Sequence, residues 1–295
     1  MRTFIRKMVA SVVRLLPAGA PERIYARLFR GPLGIVVNPL ITGLLPESVQ
    51  IPEGVVILNR TDPAVSGATA FGVYEPFETA LFRVTIQPGM TVVDIGANIG
   101  YYMVIAARRV GEKGHVIAFE PAPENFATLK KTIDANTFRN IDAYAIAIAD
   151  KKGVLDLHLF DSNKGKHSLV KDSRDAKGFR SRVQVQTTTL DSFLSEHDIG
   201  HVDVIKMDIE GAESLALAGM HEALKQAKFL FMEFTPTSIR KAGHDPQETL
   251  QLLRKAGFSL FAIDERAKEK KLVSDDGLFI ASIPEGECTN LLCVK

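Results

Sequence analysis

The side chains of this chain that could do chemistry are acids placed at the ends of short apolar segments. Asp94 lies in the apolar segment 91–95 and precedes Gly96, Asn98 and Gly100 in the sequence DIGANIG. Glycines let the backbone approach a ligand closely, and an asparagine side chain both donates and accepts hydrogen bonds. A dinucleotide pyrophosphate would meet Asp94 as a like charge, whereas a cationic or zwitterionic ligand would be attracted to it.

S-adenosylmethionine meets these requirements, because it has no phosphate and carries an ammonium, a sulfonium and two ribose hydroxyls. Glu120 ends the next apolar segment, HVIAFE, twenty residues after Gly100. An acid at the tip of the second strand binds ribose hydroxyls in nucleotide-binding α/β folds. The sequence therefore predicts S-adenosylmethionine as the cofactor. The alternatives are a tight turn that binds no ligand and a solvated glutamate.

A third acidic group lies in the segment VDVIKMDIEGAE. If residues 202–208 form a strand, Lys206 and Asp208 share one face and Glu210 continues it. Charges at the carboxyl end of a parallel strand face the crevice where ligands bind, and buried charges need partners. Asp208 and Glu210 are therefore candidate catalytic residues. Helix capping is the alternative role for either Glu210 or Glu213.

Two further residues and a metal complete the candidates. His167 lies in a polar loop, and its imidazole would titrate near neutral pH, as a catalytic base must. An exposed histidine without a role is the alternative. Glu233 follows an apolar run and would either line an acceptor pocket or pair with a neighbour. Carboxylates in this number suit magnesium or calcium, but their spacing requires no metal, and none is expected.

The elements that must position these side chains alternate between strand and helix from residue 91 onward. Apolar runs typical of buried parallel strands occupy 91–95, 115–119, 202–207 and 228–234. Helical spacing of apolar residues occurs in 123–137, 212–226 and 246–257. Further strands without helices between them are predicted in 258–264, 277–283 and 290–295, and a pair of strands in 153–160 and 181–190. This pattern predicts an α/β fold with a doubly wound, mostly parallel sheet and an antiparallel edge.

The first 70 residues lack this alternation and are predicted to form an N-terminal extension to a domain of residues 71–295. Residues 1–16 place apolar side chains at helical spacing between four basic ones, Arg2, Arg6, Lys7 and Arg14. Such an amphipathic helix could make peripheral contact with an anionic membrane surface, or it could pack on protein. A secretion signal is disfavoured, because Arg14 interrupts the apolar stretch.

Composition excludes several classes of protein. The formal net charge of +1 gives no general attraction to nucleic acid. The two cysteines, Cys288 and Cys293, fit neither a zinc site nor a disulfide framework, so a cytoplasmic location is expected. No apolar run reaches the length of a membrane-spanning helix. The oligomeric state is left open.

In this order, the motifs VVDIGANIGYY, FEPAPENFATLKKTIDAN, KHSLV, TTTLDSFL and VIKMDIEGAE resemble the FkbM-type S-adenosylmethionine-dependent methyltransferases. The resemblance covers roughly residues 72 to 260 and includes GVYEPFET before the first core strand. It implies the seven-strand, Rossmann-like methyltransferase fold and O-methylation of a hydroxyl on a sugar, glycan or secondary metabolite. Carried over residue by residue, it implies that Asp94, Gly96, Asn98, Gly100 and Glu120 bind the cofactor.

Two alternatives from other functional classes remain at this point. A nicotinamide-dependent oxidoreductase or epimerase uses a similar sheet, but the third glycine of its fingerprint and a Tyr-x-x-x-Lys pair are missing. A non-catalytic nucleotide-binding scaffold would keep the glycine turn without the chemistry. The acids between Asp208 and Glu213 argue against that alternative.

Overall fold

The structure is a computed structural model that describes residue 38 and residues 42–160, 167–169 and 179–295. In chain order, its strands are β1 (Ser48–Ile51), β2 (Gly54–Ile57), β3 (Thr91–Ile95), β4 (His115–Phe119), β5 (Ile141–Tyr144), β6 (Ala147–Ile148), β7 (Gly153–Phe160), β8 (Phe179–Thr188), β9 (Val204–Met207), β10 (Phe229–Phe234), β11 (Ser259–Asp264), β12 (Glu269–Leu272) and β13 (Thr289–Val294). The helices of the described residues are α1 (Val65–Phe71), α2 (Pro76–Thr85), α3 (Tyr101–Val110), α4 (Pro123–Asp134), α5 (Leu190–Glu196), α6 (Glu213–Leu217), α7 (His221–Gln226), α8 (Pro236–Lys241), α9 (Pro246–Lys255) and α10 (Asp276–Ser282).

Eight strands form the main sheet in the order β12-β11-β13-β10-β9-β3-β4-β5. The pairs from β10 through β5 are parallel, while β13 runs antiparallel between β10 and β11. The predicted doubly wound, mostly parallel sheet is therefore confirmed. It has one strand more than the seven expected, because β12 pairs with β11 as an antiparallel edge.

The parallel strands are buried on both faces, because successive side chains pack into different apolar clusters. Val93 and Ile95 of β3 belong to one cluster, and Val92 belongs to the other. Ile117 and Val116 of β4 divide in the same way. Burial on both faces explains why these strands are continuous apolar runs rather than alternating ones.

The hairpin of β1 and β2 packs against the main sheet's helices rather than standing apart from them. The Asn136 side chain accepts a hydrogen bond from the Val55 N–H at 2.9 Å and donates to the Val55 carbonyl at 2.7 Å. Ile51 and Val56 are buried in the same cluster as Val104 of α3. The division at residue 70 stays a prediction. The predicted helix of residues 1–16 lies outside the described residues.

A second sheet of three strands is formed by the chain that follows β5. Its order is β6-β8-β7, and its apolar side chains form a small core with Ala122, Leu157 and Val185. His158 of β7 pairs with Ser168 in a short antiparallel bridge, which positions the described residues 167–169. In the parts of the chain that the structure describes, no helix is long and apolar enough to cross a bilayer.

The prediction of a strand in 277–283 is wrong, because this segment belongs to helix α10. The Asp275 side chain accepts a hydrogen bond from the Leu278 N–H at 2.8 Å and so caps the helix. This cap satisfies an N–H that would otherwise lack a partner in the first turn. Leu278 is 73% exposed, so the apolar run does not indicate a buried strand.

Candidate functional site

A cavity of 1580 Å³ opens at the carboxyl ends of the parallel strands. It is bounded by the turn after β3, the end of β4, the loops after β9 and β10, and segments near residues 75, 167 and 290. Ligands of open α/β sheets bind outside the carboxyl ends of the strands, so the topology places this cavity where a ligand is expected.

The glycine turn between β3 and α3 is held by the neighbouring strands. The N–H groups of Gly96 and Ala97 donate to the Phe119 carbonyl at 2.9 and 3.0 Å. Gly96 has a φ of 84°, and a Cβ there would lie 2.0 Å from the Asp208 carbonyl oxygen. Only glycine therefore allows β9 to end this close to the turn.

Glu120 connects the glycine turn to the loop after β4. Its Oε2 accepts from the Asn98 N–H and its Oε1 from the Ala122 N–H, both at 2.8 Å. The residue is 5% exposed. Burial raises the pKa of Glu120 to about 7, although the two backbone hydrogen bonds oppose that rise. Each carboxylate oxygen retains a lone pair with which it could accept a hydroxyl hydrogen.

Asp94 has a buried oxygen that is unpartnered among the described residues. The side chain is 2% exposed, and its Oδ2 has no hydrogen-bond partner. Burial raises the pKa of Asp94 to about 7, since the effect of Lys206 on the neighbouring strand is smaller. A buried polar atom without a partner is costly, and a bound cationic group that donates to it would remove that cost.

Lys206 of β9 forms a buried ion pair with Glu78 of α2. The Nζ of Lys206 lies 3.1 Å from Glu78 Oε1 and 3.9 Å from Asp208 Oδ2, and it lies 4.8 Å from the ring centre of Tyr102. Burial alone would lower the pKa of Lys206, but the carboxylates of Glu78, Asp208 and Glu75 raise it. This lysine is therefore a fixed positive charge in the wall of the cavity.

Glu75 projects into the same wall from the N-cap position of α2. Its Oε2 accepts from the Tyr102 hydroxyl at 2.8 Å, and its Oε1 accepts from Asn290 Nδ2 at 3.3 Å. Asn290 also donates to Glu78. Burial and the charge of Glu78 raise the pKa of Glu75 to about 7. The backbone φ of Glu75 is 40°, which costs energy for a residue other than glycine.

Asp208, Glu210 and Glu233 bring carboxylate oxygens within 4.8 Å of one another. Asp208 follows β9, and Glu233 lies on the adjacent parallel strand β10. Burial, with the charges of Asp208 and Glu213, raises the pKa of Glu233 to about 8. Glu213 itself is buried beneath the turn, where its Oε1 accepts from the Gly211 N–H at 3.1 Å.

His167 lies at the rim of the cavity, on the segment that the bridge to β7 positions. Its Nδ1 accepts a hydrogen bond from the Phe160 N–H at 3.1 Å. In the neutral ring the proton is then on Nε2, so the ring can donate at that nitrogen but cannot accept there. Ser168 donates from Oγ to the Glu210 carbonyl at 2.7 Å and so connects this segment to the acidic loop.

The structure brings most of the predicted site residues together around one cavity. Those that line it are Asp94, Gly96, Asn98, Glu120, His167, Asp208, Glu210 and Glu233. Gly100 is the N-cap residue of α3 and is not among the lining residues. A Cβ there would lie 2.8 Å from the side chains of Leu129 and Met103. The sequence reasoning assigned no role to Glu75, Glu78 or Asn290. The sequence did indicate that some acid like Glu78 must be present, because a buried Lys206 requires a partner of opposite charge. No sequence feature indicated Asn290.

The chain is similar to several known proteins. The sequence profile of the Methyltransferase FkbM domain matches residues 94–260. The 2-O-methyltransferase NoeI of Sinorhizobium fredii is 28% identical over 197 residues, which cover 62% of this chain and 78% of that protein. The hexuronic acid methyltransferase AglP of Haloferax volcanii is 28% identical over 171 residues, or 56% of this chain and 62% of that protein. A solved structure of an S-adenosylmethionine-dependent methyltransferase from Aquifex aeolicus aligns with 74% of this chain and 88% of its own, at 18% identity and a TM-score of 0.39.

Proposed function

Because the chain belongs to the FkbM methyltransferase family and is an S-adenosylmethionine-dependent methyltransferase, we propose that it methylates a hydroxyl oxygen of a sugar, glycan or secondary metabolite. One observation carries the proposal. Asp94 and Glu120 flank the glycine turn in the wall of one cavity, which the acids Asp208, Glu210 and Glu233 also line. A cofactor with positive charge fits beside the turn, and an acceptor fits beside those other acids, at what we call the acceptor end of the cavity.

The residues of the turn fit S-adenosylmethionine by the chemistry of their donors and acceptors. The unpartnered, buried Oδ2 of Asp94 would accept from a cationic group, and Glu120 would accept from ribose hydroxyls. Gly96 and Asn98 would present backbone and side-chain groups to the polar end of the cofactor. Gly100 would not contact the cofactor; as the N-cap residue it would fix where α3 begins after the turn.

When bound, S-adenosylmethionine supplies a methyl group on a positively charged sulfur, so an acceptor oxygen can form the new bond while the sulfur keeps the old electron pair. The chain's own part is to align the acceptor and remove the hydroxyl proton. Asp208 and Glu210 are the acids that would face the acceptor. Glu75 is a better proton acceptor than His167, because its pKa of about 7 suits a base at neutral pH and His167 Nδ1 is already occupied.

The acceptor class is proposed from the two relatives. NoeI is named for methylation of an oxygen, and AglP for methylation of a hexuronic acid. A hydroxyl-rich acceptor also suits a pocket end lined by hydrogen-bond acceptors, since each carboxylate can accept from a hydroxyl. Nucleic acid is not proposed as an acceptor, because the net charge is only +1. Peripheral membrane contact through residues 1–16 is a separate proposal, which vesicle sedimentation of the full chain and a chain starting at Pro21 would test.

Two measurements test the proposed function. Calorimetry should detect binding of S-adenosylmethionine and of its demethylated product, and no binding of NAD. Incubation with methyl-labelled S-adenosylmethionine and a panel of sugars should place the label on a hydroxyl oxygen. Binding of NAD in preference to S-adenosylmethionine would instead favour an oxidoreductase. Binding of S-adenosylmethionine with no transfer to any extract component would favour the scaffold.

A further inference from the structure

We propose that Asp208, Glu210 and Glu233 bind a divalent cation at the acceptor end of the cavity. Their carboxylate oxygens lie within 4.8 Å of one another. A point between three oxygens at that spacing lies about 2.8 Å or less from each of them, and calcium lies roughly 2.3–2.6 Å from its oxygen ligands, so a shift of a few tenths of an ångström would let one ion touch all three. For magnesium, at roughly 2.1 Å, each oxygen would need to move up to about 0.7 Å toward the ion.

Glu213 provides a second and independent indication of a missing positive charge. It is 0% exposed, and its Oε2 has no hydrogen-bond partner among the described residues. Its other oxygen, Oε1, accepts from the N–H groups of Ile209 and Gly211, the two neighbours of Glu210, so the side chain lies against the loop that carries Asp208 and Glu210. A buried, unpartnered carboxylate oxygen this close to other carboxylates is unfavourable unless a cation lies nearby. Lys206 does not fill this role, because its Nζ lies nearer to Glu78 than to Asp208.

The sheet fixes the positions of two of the three ligands. Met207 and Met232 are in register on the parallel strands β9 and β10, so Asp208 and Glu233 are the next residues along the same two strands. Glu210 lies in the loop after β9 with a φ of 52°, in the left-handed region, and it lines the cavity. Ligands held by a sheet need little rearrangement when an ion binds.

The ligand types identify the class of ion. All three groups offer oxygen, and the group contains neither histidine nor cysteine. Oxygen ligands suit magnesium, manganese and calcium, whereas zinc and copper prefer nitrogen and sulfur. Three protein ligands leave coordination positions open for water or for oxygens of a second molecule.

The role of the ion rests on the proposed function, but the site itself does not. An acceptor with a hydroxyl and a neighbouring oxygen could occupy two of the open positions. The ion would orient that hydroxyl and lower its pKa, so the proton could leave to Glu75 or to water. Acceptors with two adjacent oxygens, such as the diols of a sugar ring, are therefore the substrate class that the site would favour.

Ion binding by the full chain tests this proposal directly. The protein is freed of metal with a chelator and titrated calorimetrically with Mn²⁺ and with Ca²⁺. We expect one ion per chain for the wild type and for Glu222→Gln, an exposed acid outside the cavity. Asp208→Asn and Glu233→Gln should each weaken binding at least tenfold, because each removes a charged ligand.

Circular dichroism shows whether each protein is folded, and calorimetry with S-adenosylmethionine shows whether it binds the cofactor. Absence of ion binding to the folded wild type overturns the proposal, and so does unchanged affinity in both folded variants. If one variant does not fold, the titration of the wild type and the ion affinity of the other, folded variant decide whether the three acids bind an ion. Ion binding that persists in a protein unable to bind S-adenosylmethionine supports the ion site and removes the proposed function. Binding of S-adenosylmethionine without binding of an ion supports the proposed function and overturns the ion site.

Discussion

The buried acids of the cavity hold protons at higher pH than ordinary acids do. Burial is the main reason that the pKa values of Asp94, Glu120 and Glu75 are raised to about 7. A cationic or hydrogen-donating ligand favours the ionised form of each acid. Ligand binding near neutral pH should therefore release protons, with a stoichiometry that falls as the pH rises above 7.

Glu120→Gln tests the ribose assignment with less disturbance than alanine would cause. The glutamine keeps the size of the side chain, but its amide nitrogen cannot accept from either backbone N–H or from a hydroxyl. A lost hydrogen bond to a charged group is worth about 1.5–3 kcal/mol, so S-adenosylmethionine affinity should fall roughly tenfold to a hundredfold. Calorimetry measures this, with Glu124→Gln, an exposed acid of α4, as the control. Wild-type affinity in Glu120→Gln would show that the ribose is bound elsewhere.

Glu75→Gln tests the proposed base. The ionised carboxylate accepts the proton, so the wild-type kcat should rise with pH through about 7. In Glu75→Gln, kcat should fall on the order of a hundredfold and lose this inflection, while cofactor affinity changes little. A pH profile of kcat with an accepted sugar checks both points. An inflection that persists in the variant would assign it to another buried acid of the cavity, such as Glu233.

Residue types indicated which acids lie at the carboxyl edge of the sheet better than which residues complete the rest of the cavity wall. Asp94 lies one residue before the end of its apolar run, and Glu120 and Asp208 directly follow theirs, so the runs themselves show which acids reach this edge. Glu75 and Asn290 follow no such run, and their roles depend on how α2 and β13 pack. Such packing is not contained in local spacing, so the sequence could not place these two residues in the cavity.

At the scale of elements, the ion pair of Lys206 and Glu78 joins β9 to α2. The exposed fractions of the two side chains are 1% and 0%. Lys206→Met would leave Glu78 buried and unpaired, so the free energy of unfolding should fall by about 3–5 kcal/mol. Denaturant unfolding measures this loss.

The double variant Lys206→Met with Glu78→Leu provides the comparison. It removes both charges, so it should recover much of the stability lost in the single variant. If the single variant is as stable as the wild type, the pair does not hold α2 on the sheet. Equal losses in the single and double variants would assign the effect to packing rather than to an unpaired charge.

Element boundaries were predicted where periodicity was strong and missed where tertiary contacts decide them. The segment 212–226 has one continuous helical pattern but forms α6 and α7, separated near Gly219. A Cβ at Gly219 would lie 2.2 Å from the Ala149 carbonyl, so the chain passes close to a neighbouring segment there. Asp191 then caps α7 through the N–H groups of Glu222 and Ala223. These contacts come from residues distant in sequence, which a local pattern does not show.

At the scale of the whole molecule, the raised pKa values make stability depend on pH. The unfolded chain loses the protons of Asp94 and Glu120 near pH 4, whereas the folded chain keeps them up to about pH 7. The contribution of these two protonated acids to the free energy of unfolding is therefore complete below about pH 4 and is lost as the pH rises through about 7. Without cofactor, the wild-type free energy of unfolding should fall from pH 5.5 to 7.5.

Asp94→Asn removes one of these protons and should make that dependence shallower by up to about 1.4 kcal/mol per pH unit. Urea unfolding at several pH values measures the slopes, with Asp134→Asn, an exposed acid at the end of α4, as the control. Parallel slopes for wild type and Asp94→Asn would mean that Asp94 is already ionised in the folded chain at pH 5.5.

The contacts of Asn290 determine the order in which the molecule can assemble its cavity. Asn290 is 215 residues from Glu75 and 212 residues from Glu78 along the chain. Contacts at such separations close very long loops and form after local ones, because their entropic cost must first be offset. The turn after β3, by contrast, is bound to β4 only some twenty residues away. A partly folded chain in which β3 and β4 are paired therefore already has the glycine turn, while the wall of the cavity that Asn290 holds to Glu75 and Glu78 is completed last.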